Sequence, residues 1–186
     1  MTTKQIQNLQ EIIGVTPDGF WGPKSVAACQ RHLRGYLPLT NPWPKPDQKS
    51  LTAFYGAAGD ESRHMRLDVT GLGLLYEGAA VANITCHERV GASLLRVLKR
   101  LSVLHPEVLA DFAGCYNNRP MRGGSLPSLH ARAAAVDFMP GSNGNRSHWP
   151  VASSMPLTVM VEFAREGWLA AGAAWSRDGM HFQATQ

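Results

Sequence analysis

The chain has 186 residues, 44% hydrophobic and 17% charged, which supplies a core and excludes a disordered acidic or basic tail. Eighteen Lys and Arg against 14 Asp and Glu leave a net charge of +4, too small an excess to argue for nucleic acid. It suits an anionic cell envelope equally well. Cys29, Cys86 and Cys115 are far apart and form no Cys-x-x-Cys pair. That excludes a zinc knuckle and a disulfide framework, and it points to a reduced chain made in the cytoplasm. The first ten residues, MTTKQIQNLQ, are polar and lack the apolar stretch of a signal peptide. The most apolar region, Thr70 to Cys86, is glycine-rich and broken by Glu77, so no membrane insertion is expected.

In chain order, Ile6, Leu9 and Ile13 share one helical face, and Val26, Cys29 and Leu33 share another. Between them Asp18-Gly19-Phe20-Trp21-Gly22-Pro23 reads as a tight turn running into a proline-started helix. Leu37 to Pro46 holds four prolines and reads as a semi-rigid linker, which divides the chain into residues 1–42 and 43–186. Beyond it, Leu72 to Tyr76 and Val81 to Thr85 look like a hairpin. Apolar residues at helical spacing predict one long helix from about Glu88 to Leu104. Ala134 to Phe138 and Gly179 to Phe182 are candidate strands, and Met155 to Arg165 is a candidate helix. Helices and strands mix without βαβ alternation, so the expected class is α+β: a small antiparallel sheet flanked by helices, preceded by a small helical segment.

Two segments carry the residue types that do chemistry. One runs from Ser128 through His130 to Asp137; the other is Trp175-Ser176-Arg177-Asp178-Gly179-Met180-His181-Phe182. A His and an Asp six or seven residues apart are common by chance, and each read singly is an ordinary structural residue. Taken together, Ser-x-His-x(6)-Asp followed by Asp-x-x-His-Phe resembles the zinc peptidase family of D-alanyl-D-alanine carboxypeptidases and L-alanyl-D-glutamate endopeptidases. Asp47 to Gly59, Cys86 to Val90, Gly114 to Gly124 and Glu166-Gly167-Trp168 are similar to the phage and bacterial branch of that family, so the resemblance spans roughly residues 45 to 186. One departure is Ala133, where many members carry glycine.

The resemblance implies a Zn2+ held by His130, Asp137 and His181, a set of two imidazoles and one carboxylate that leaves a position open for water. It implies Asp178 as the carboxylate that takes the proton of the attacking water and passes it to the leaving amine. Arg119 or Arg122 would clamp a substrate carboxylate bidentately. Ser128 either helps hold that carboxylate or caps a turn, and Trp175 either walls the cleft or fills the core. His87 and His148 fall outside the motif and read as structural or surface histidines. A rival chemistry pairs Cys115 with His130 or His181 as thiolate and imidazole; a second rival is a non-catalytic wall-binding protein.

The N-terminal pattern Leu9-Gln10…Asp18-Gly19-x-x-Gly22-x-x-Ser25 resembles part of a peptidoglycan-binding helical module, with two helices where the module has three. Phe20, Trp21, Arg31 and Arg34 would be its wall contacts; the alternative is a helical hairpin that only packs against the rest. The whole then reads as a monomeric phage endolysin whose partner is peptidoglycan. It is expected to be made in the host cytoplasm and released with a holin, and to cut the L-Ala–D-Glu bond. The alternative is a D-Ala-D-Ala carboxypeptidase of wall remodelling.

Overall fold

The computed structural model describes residues 1–186. Thr2 and Gln5 form a reciprocal capping box that opens helix α1 (Thr3–Ile12), which buries Ile6, Leu9 and Gln10. Pro23 starts α2 (Pro23–Arg34), as its fixed φ and missing N–H favour. Gln10 ties the two together. Its amide nitrogen lies 2.7 Å from Asp18 Oδ1, 3.0 Å from the Phe20 carbonyl and 3.1 Å from Ser25 Oγ. Its oxygen accepts from Gly19 N–H at 2.8 Å. Gly19 itself sits at φ +77°, which a side chain would strain.

The connection that follows is laid onto the body of the protein. Trp43 is buried and its indole N–H donates to the Glu166 carbonyl at 2.8 Å. Asn41 donates to the Gly167 carbonyl at 2.9 Å, and the Gln186 N–H donates to the Pro44 carbonyl at 3.0 Å. Asn41 to Pro44, the middle of the proline-rich stretch, is thus packed on the body, while Leu37 and Leu39 stand exposed. α2 packs on the helices α7 (Leu157–Ala164) and α8 (Ala171–Trp175) further along the chain. Leu9, Ile13, Ala28, Cys29 and Leu33 belong to the same continuous apolar core as Leu94, Leu98 and Phe163.

Helix α3 (Gln48–Tyr55), capped by Asp47, leads to strand β1 (His64–Asp68). Strands β2 (Leu75–Tyr76) and β3 (Ala79–Ala80) form a two-residue ladder, and β4 (Asn83–His87) pairs antiparallel with β1, not with β2. The expected hairpin is thus correct only at its tip. The ladder of residues 83–87 is taken by His64–Asp68, a strand with a single buried side chain, Leu67, and so without alternation to announce it. Helix α4 spans Glu88–Leu104, as its periodicity predicts, and buries Val90, Leu94, Val97, Leu98 and Leu101. A short α5 (Pro106–Leu109) precedes β5 (Phe112–Gly114).

The sheet that matters for the site has the order β5-β6-β8-β7, all antiparallel, with β6 Ala135–Phe138, β7 Leu169–Ala170 and β8 His181–Gln183. A short α6 (Pro140–Asn143) follows β6. The strand expected at Gly179–Phe182 begins two residues later, because Met180 N–H is held by the Asn143 carbonyl outside the ladder. Strand parity divides the side chains. Val136, Phe138 and Phe182 lie on the core side, where Phe182 stacks on Phe163 at 4.0 Å between centroids. Asp137, His181 and Gln183 share the other face. The chain mixes helices with small antiparallel sheets and is α+β, as expected. No helix is long and apolar enough to cross a membrane.

Candidate metal centre

The register of β6 against β8 sets Asp137 directly opposite His181. On such a pair the Cβ atoms lie about 5 Å apart and the side chains meet. His130 arrives from a one-turn 3-10 helix, Leu129–Arg132, that Ser128 caps by accepting from His130 N–H at 3.3 Å. Ala133 ends this turn in the left-handed region at φ +52° and feeds the chain into β6. This is the position where the resembled family commonly carries glycine, and alanine is strained there.

The three side chains converge. His130 Nε2 lies 3.1 Å from His181 Nδ1 and 3.2 Å from Asp137 Oδ1, and His181 Nδ1 lies 2.9 Å from the same oxygen. All three are buried. The outer ring nitrogens fix the tautomers. His130 Nδ1 sits 2.7 Å from the Cys115 carbonyl, which can only accept, so Nδ1 carries the proton. His181 Nε2 faces Gln183 Oε1 at 3.0 Å, and the Gln183 amide in turn donates to Thr185 Oγ1 at 2.7 Å. Both imidazoles thus turn a lone pair inward, onto a carboxylate. Three acceptors facing one another repel unless a proton or a metal cation sits among them.

Without a metal, a proton on the inner nitrogen of His181 relieves the same repulsion, and the titration behaviour reflects that alternative. Burial works against a charge on Asp137, yet the two imidazoles prevail and hold its carboxyl well below the usual carboxylate range. Burial likewise opposes charging His181, but the Asp137 carboxylate outweighs it and raises the imidazole above its ordinary value. The donor set of two nitrogens and one carboxylate oxygen, each ring oriented from behind, could hold a metal ion.

A cleft of about 320 Å³ opens over the group, lined by Arg119, Arg122, Ser128, Trp175, Arg177 and Asp178 as well as the three ligands. Asp178 sits at φ +58° in the turn before β8, and its Oδ1 is buried without a hydrogen-bond partner. Burial pushes its carboxyl up, and the neighbouring Asp137 charge adds to the shift. Trp175 is half exposed and lies almost parallel to the His181 ring, 6.0 Å between centroids and 23° between planes, so it is a cleft wall and not core. Ser128 caps the His130 turn and also lines the cleft. A larger groove of about 480 Å³ lies at the seam between α2 and the body, bordered by Leu33, Arg34, Met160 and Trp168. It holds none of the ligand atoms.

The remaining expected residues fall as follows. Phe20 stands 72% exposed, and Arg31 and Arg34 are exposed on α2. Trp21 is half-buried and packs edge-on against Trp149 at 5.3 Å, so it belongs to the seam. His87 is structural: Nδ1 caps α4 and Nε2 bonds the Tyr55 carbonyl. His148 is exposed and does not line the cleft. Cys115 is buried, its thiol faces the Ala133 carbonyl, and burial pushes its pKa well up, which removes the thiolate that a cysteine peptidase needs. Its contribution is its carbonyl oxygen. Sequence reasoning missed Gln183, whose one signal is its place two residues after His181 on the same strand face.

Fold and side chains together define an α+β protein with a buried His-Asp-His group able to hold a metal ion beneath an arginine-lined cleft. Comparison with protein-family models, with curated proteins and with solved structures finds no match for the chain.

Proposed function

We propose that this protein is a zinc-dependent peptidase of the bacterial cell wall, an endolysin-type enzyme that cuts the stem peptide between L-Ala and D-Glu. The observation that carries the reading is the inward-facing acceptor triad with an unpartnered carboxylate beside it. A bound zinc would supply a Lewis acid and activate water near neutral pH. His130, Asp137 and His181 would hold it, and Cys115 and Gln183 orient the two rings. Asp178 takes the proton from the attacking water and delivers it to the departing amine. Its raised affinity for a proton suits that exchange, because a strongly acidic carboxylate takes up a proton poorly. Arg119 and Arg122 bind the carboxylate that follows the scissile amide.

D-Glu continues the stem through its γ-carboxyl and leaves its α-carboxylate free for that clamp. Cutting beside the glycan-linked L-Ala also releases the mesh, which trimming a terminal D-Ala does not. Peptidoglycan is the partner in this reading, and Phe20, Arg31 and Arg34 are the exposed residues that could touch it. Synthesis in a host cytoplasm with holin-dependent release accords with it.

Mass analysis of fragments released from purified peptidoglycan tests the bond: new L-Ala carboxyl ends and D-Glu amino ends are expected. Release of D-Ala alone, with sacculi intact, would instead make it a carboxypeptidase. His181→Ala should lose metal and cleavage together, whereas Asp178→Ala should keep one metal per chain and lose cleavage. Loss of metal from Asp178→Ala, or cleavage that survives chelators, would sink the assignment.

A further inference from the structure

Arg119, Arg122 and Arg177 all line the cleft, and none makes an ion pair with any carboxylate of the chain. The sole protein partner of the Arg119 guanidinium is the Pro120 carbonyl. The only acids in the lining are Asp137 and Asp178, one within the metal group and the other beside it. Three guanidiniums against two carboxylates leave the cleft positive before any metal is bound, and a divalent ion makes it more so.

The arginines come from two separate segments. Arg119 and Arg122 stand on the loop between β5 and the His130 turn, which is pinned where Arg119 C=O accepts from Ser128 N–H at 3.1 Å. Arg177 stands on the turn before β8, paired through its backbone with His148 and flanked by the left-handed residues Ser176 and Asp178. Its backbone is therefore fixed at the cleft edge next to the proton-transfer group. One carboxylate offers two oxygens, which a bidentate guanidinium or a pair of them from the first loop uses up. That leaves Arg177 without a counter-charge.

We propose that Arg177 is a second carboxylate-recognition point, so that the preferred substrate is a peptide with two free carboxylates. The first follows the scissile amide and meets Arg119 or Arg122; the second lies further along the leaving part and meets Arg177. The inference rests on the cleft being the substrate site of the peptidase reading, and it adds to that reading a chemical class. Stem peptides whose third residue is a diamino acid with a free side-chain carboxylate belong to the class. Stems amidated at that carboxylate, or with lysine in its place, do not.

Three probes test it on the zinc-loaded full chain: L-Ala–γ-D-Glu–meso-diaminopimelate–D-Ala with its C-terminus amidated, the same peptide amidated also at the D-Glu α-carboxyl, and the same peptide amidated also at the side-chain carboxyl of the third residue. Binding is read by calorimetry in the Asp178→Asn background, with and without Arg177→Gln, and cleavage is read separately in the otherwise native chain. Zinc content should be equal in every variant. Amidation at the third residue should weaken binding on the order of tenfold when Arg177 is present, the scale of one charged hydrogen bond, and have no effect in Arg177→Gln. Amidation at D-Glu should weaken binding in both. If Arg177→Gln leaves the penalty at the third residue unchanged, if that amidation carries no penalty, or if none of the peptides binds, the inference is overturned. The charge pattern without cleavage would remove the peptidase reading and leave the recognition intact; cleavage indifferent to Arg177 would do the reverse.

Discussion

Two buried polar clusters behave in opposite ways. At the N-terminus, Gln10 turns its amide nitrogen on Asp18, Phe20 and Ser25 and its oxygen on Gly19 N–H, so donors and acceptors close on one another. At the sheet, His130, Asp137 and His181 present acceptors to each other while their outer donors are spent on Cys115 and Gln183. Asp178 adds a buried oxygen with no partner at all. The first cluster needs nothing from outside and holds a turn. The second keeps acceptors turned inward, with room for a proton or a metal ion among them. A buried polar group left short of partners costs about 1–3 kcal/mol, so such a shortfall points to a ligand.

The sharpest way to break this contrast is to remove Gln10. Gln10→Ala orphans several groups at once and should lower stability by about 3 kcal/mol, at roughly 1 kcal/mol per lost bond. Denaturant unfolding with and without zinc measures it, and the loss should be the same in both. A loss below about 0.5 kcal/mol, the size of an ordinary surface substitution, would mean the closed network is not what holds the turn.

The next effect concerns the second cluster. Gln183→Leu should weaken zinc binding about 10–100-fold, because His181 loses the acceptor that orients its ring. Gln183→Glu, still an acceptor at that position, should restore most of the affinity. Competition with a colorimetric chelator reads both, and an unchanged affinity in Gln183→Leu would break the proposed link between Gln183 and the metal. Neither variant should alter metal-free stability as Gln10→Ala does.

The smallest effect is at Ala133. Glycine there relieves left-handed strain of about 1–2 kcal/mol, offset in part by a buried methyl worth about 0.8 kcal/mol. A net gain under about 1 kcal/mol is expected by thermal unfolding, with zinc affinity unchanged. A clear destabilisation would show that the methyl packs better than the backbone is strained.

What could be read in the sequence follows the same division. Helix α4 was legible because Val90, Leu94, Val97, Leu98 and Leu101 repeat at helical spacing and bury together. Strand β1 was not, because Leu67 alone is buried and no alternation exists. The candidate ligands were legible only through the family resemblance of their two segments, and only because His130, Asp137 and His181 carry their chemistry in side chains. Cys115 acts through its carbonyl, which every residue type possesses, so no letter could mark it. The proline-rich stretch gave no sign that Trp43 is buried, because its indole bonds a carbonyl more than a hundred residues away.

The stacking of Trp175 on His181 has an optical consequence. The chain has five tryptophans. Trp43, Trp149 and Trp168 are buried, Trp21 is half-buried and packed edge-on into the seam, and Trp175, the most open of the five, lies against the His181 ring. Light emitted by that one indole is exposed to aqueous quenchers from one side and to the charge state of the cluster from the other. Trp175 is therefore a fluorophore at the mouth of the cleft, placed to report by its emission any ion or peptide that enters.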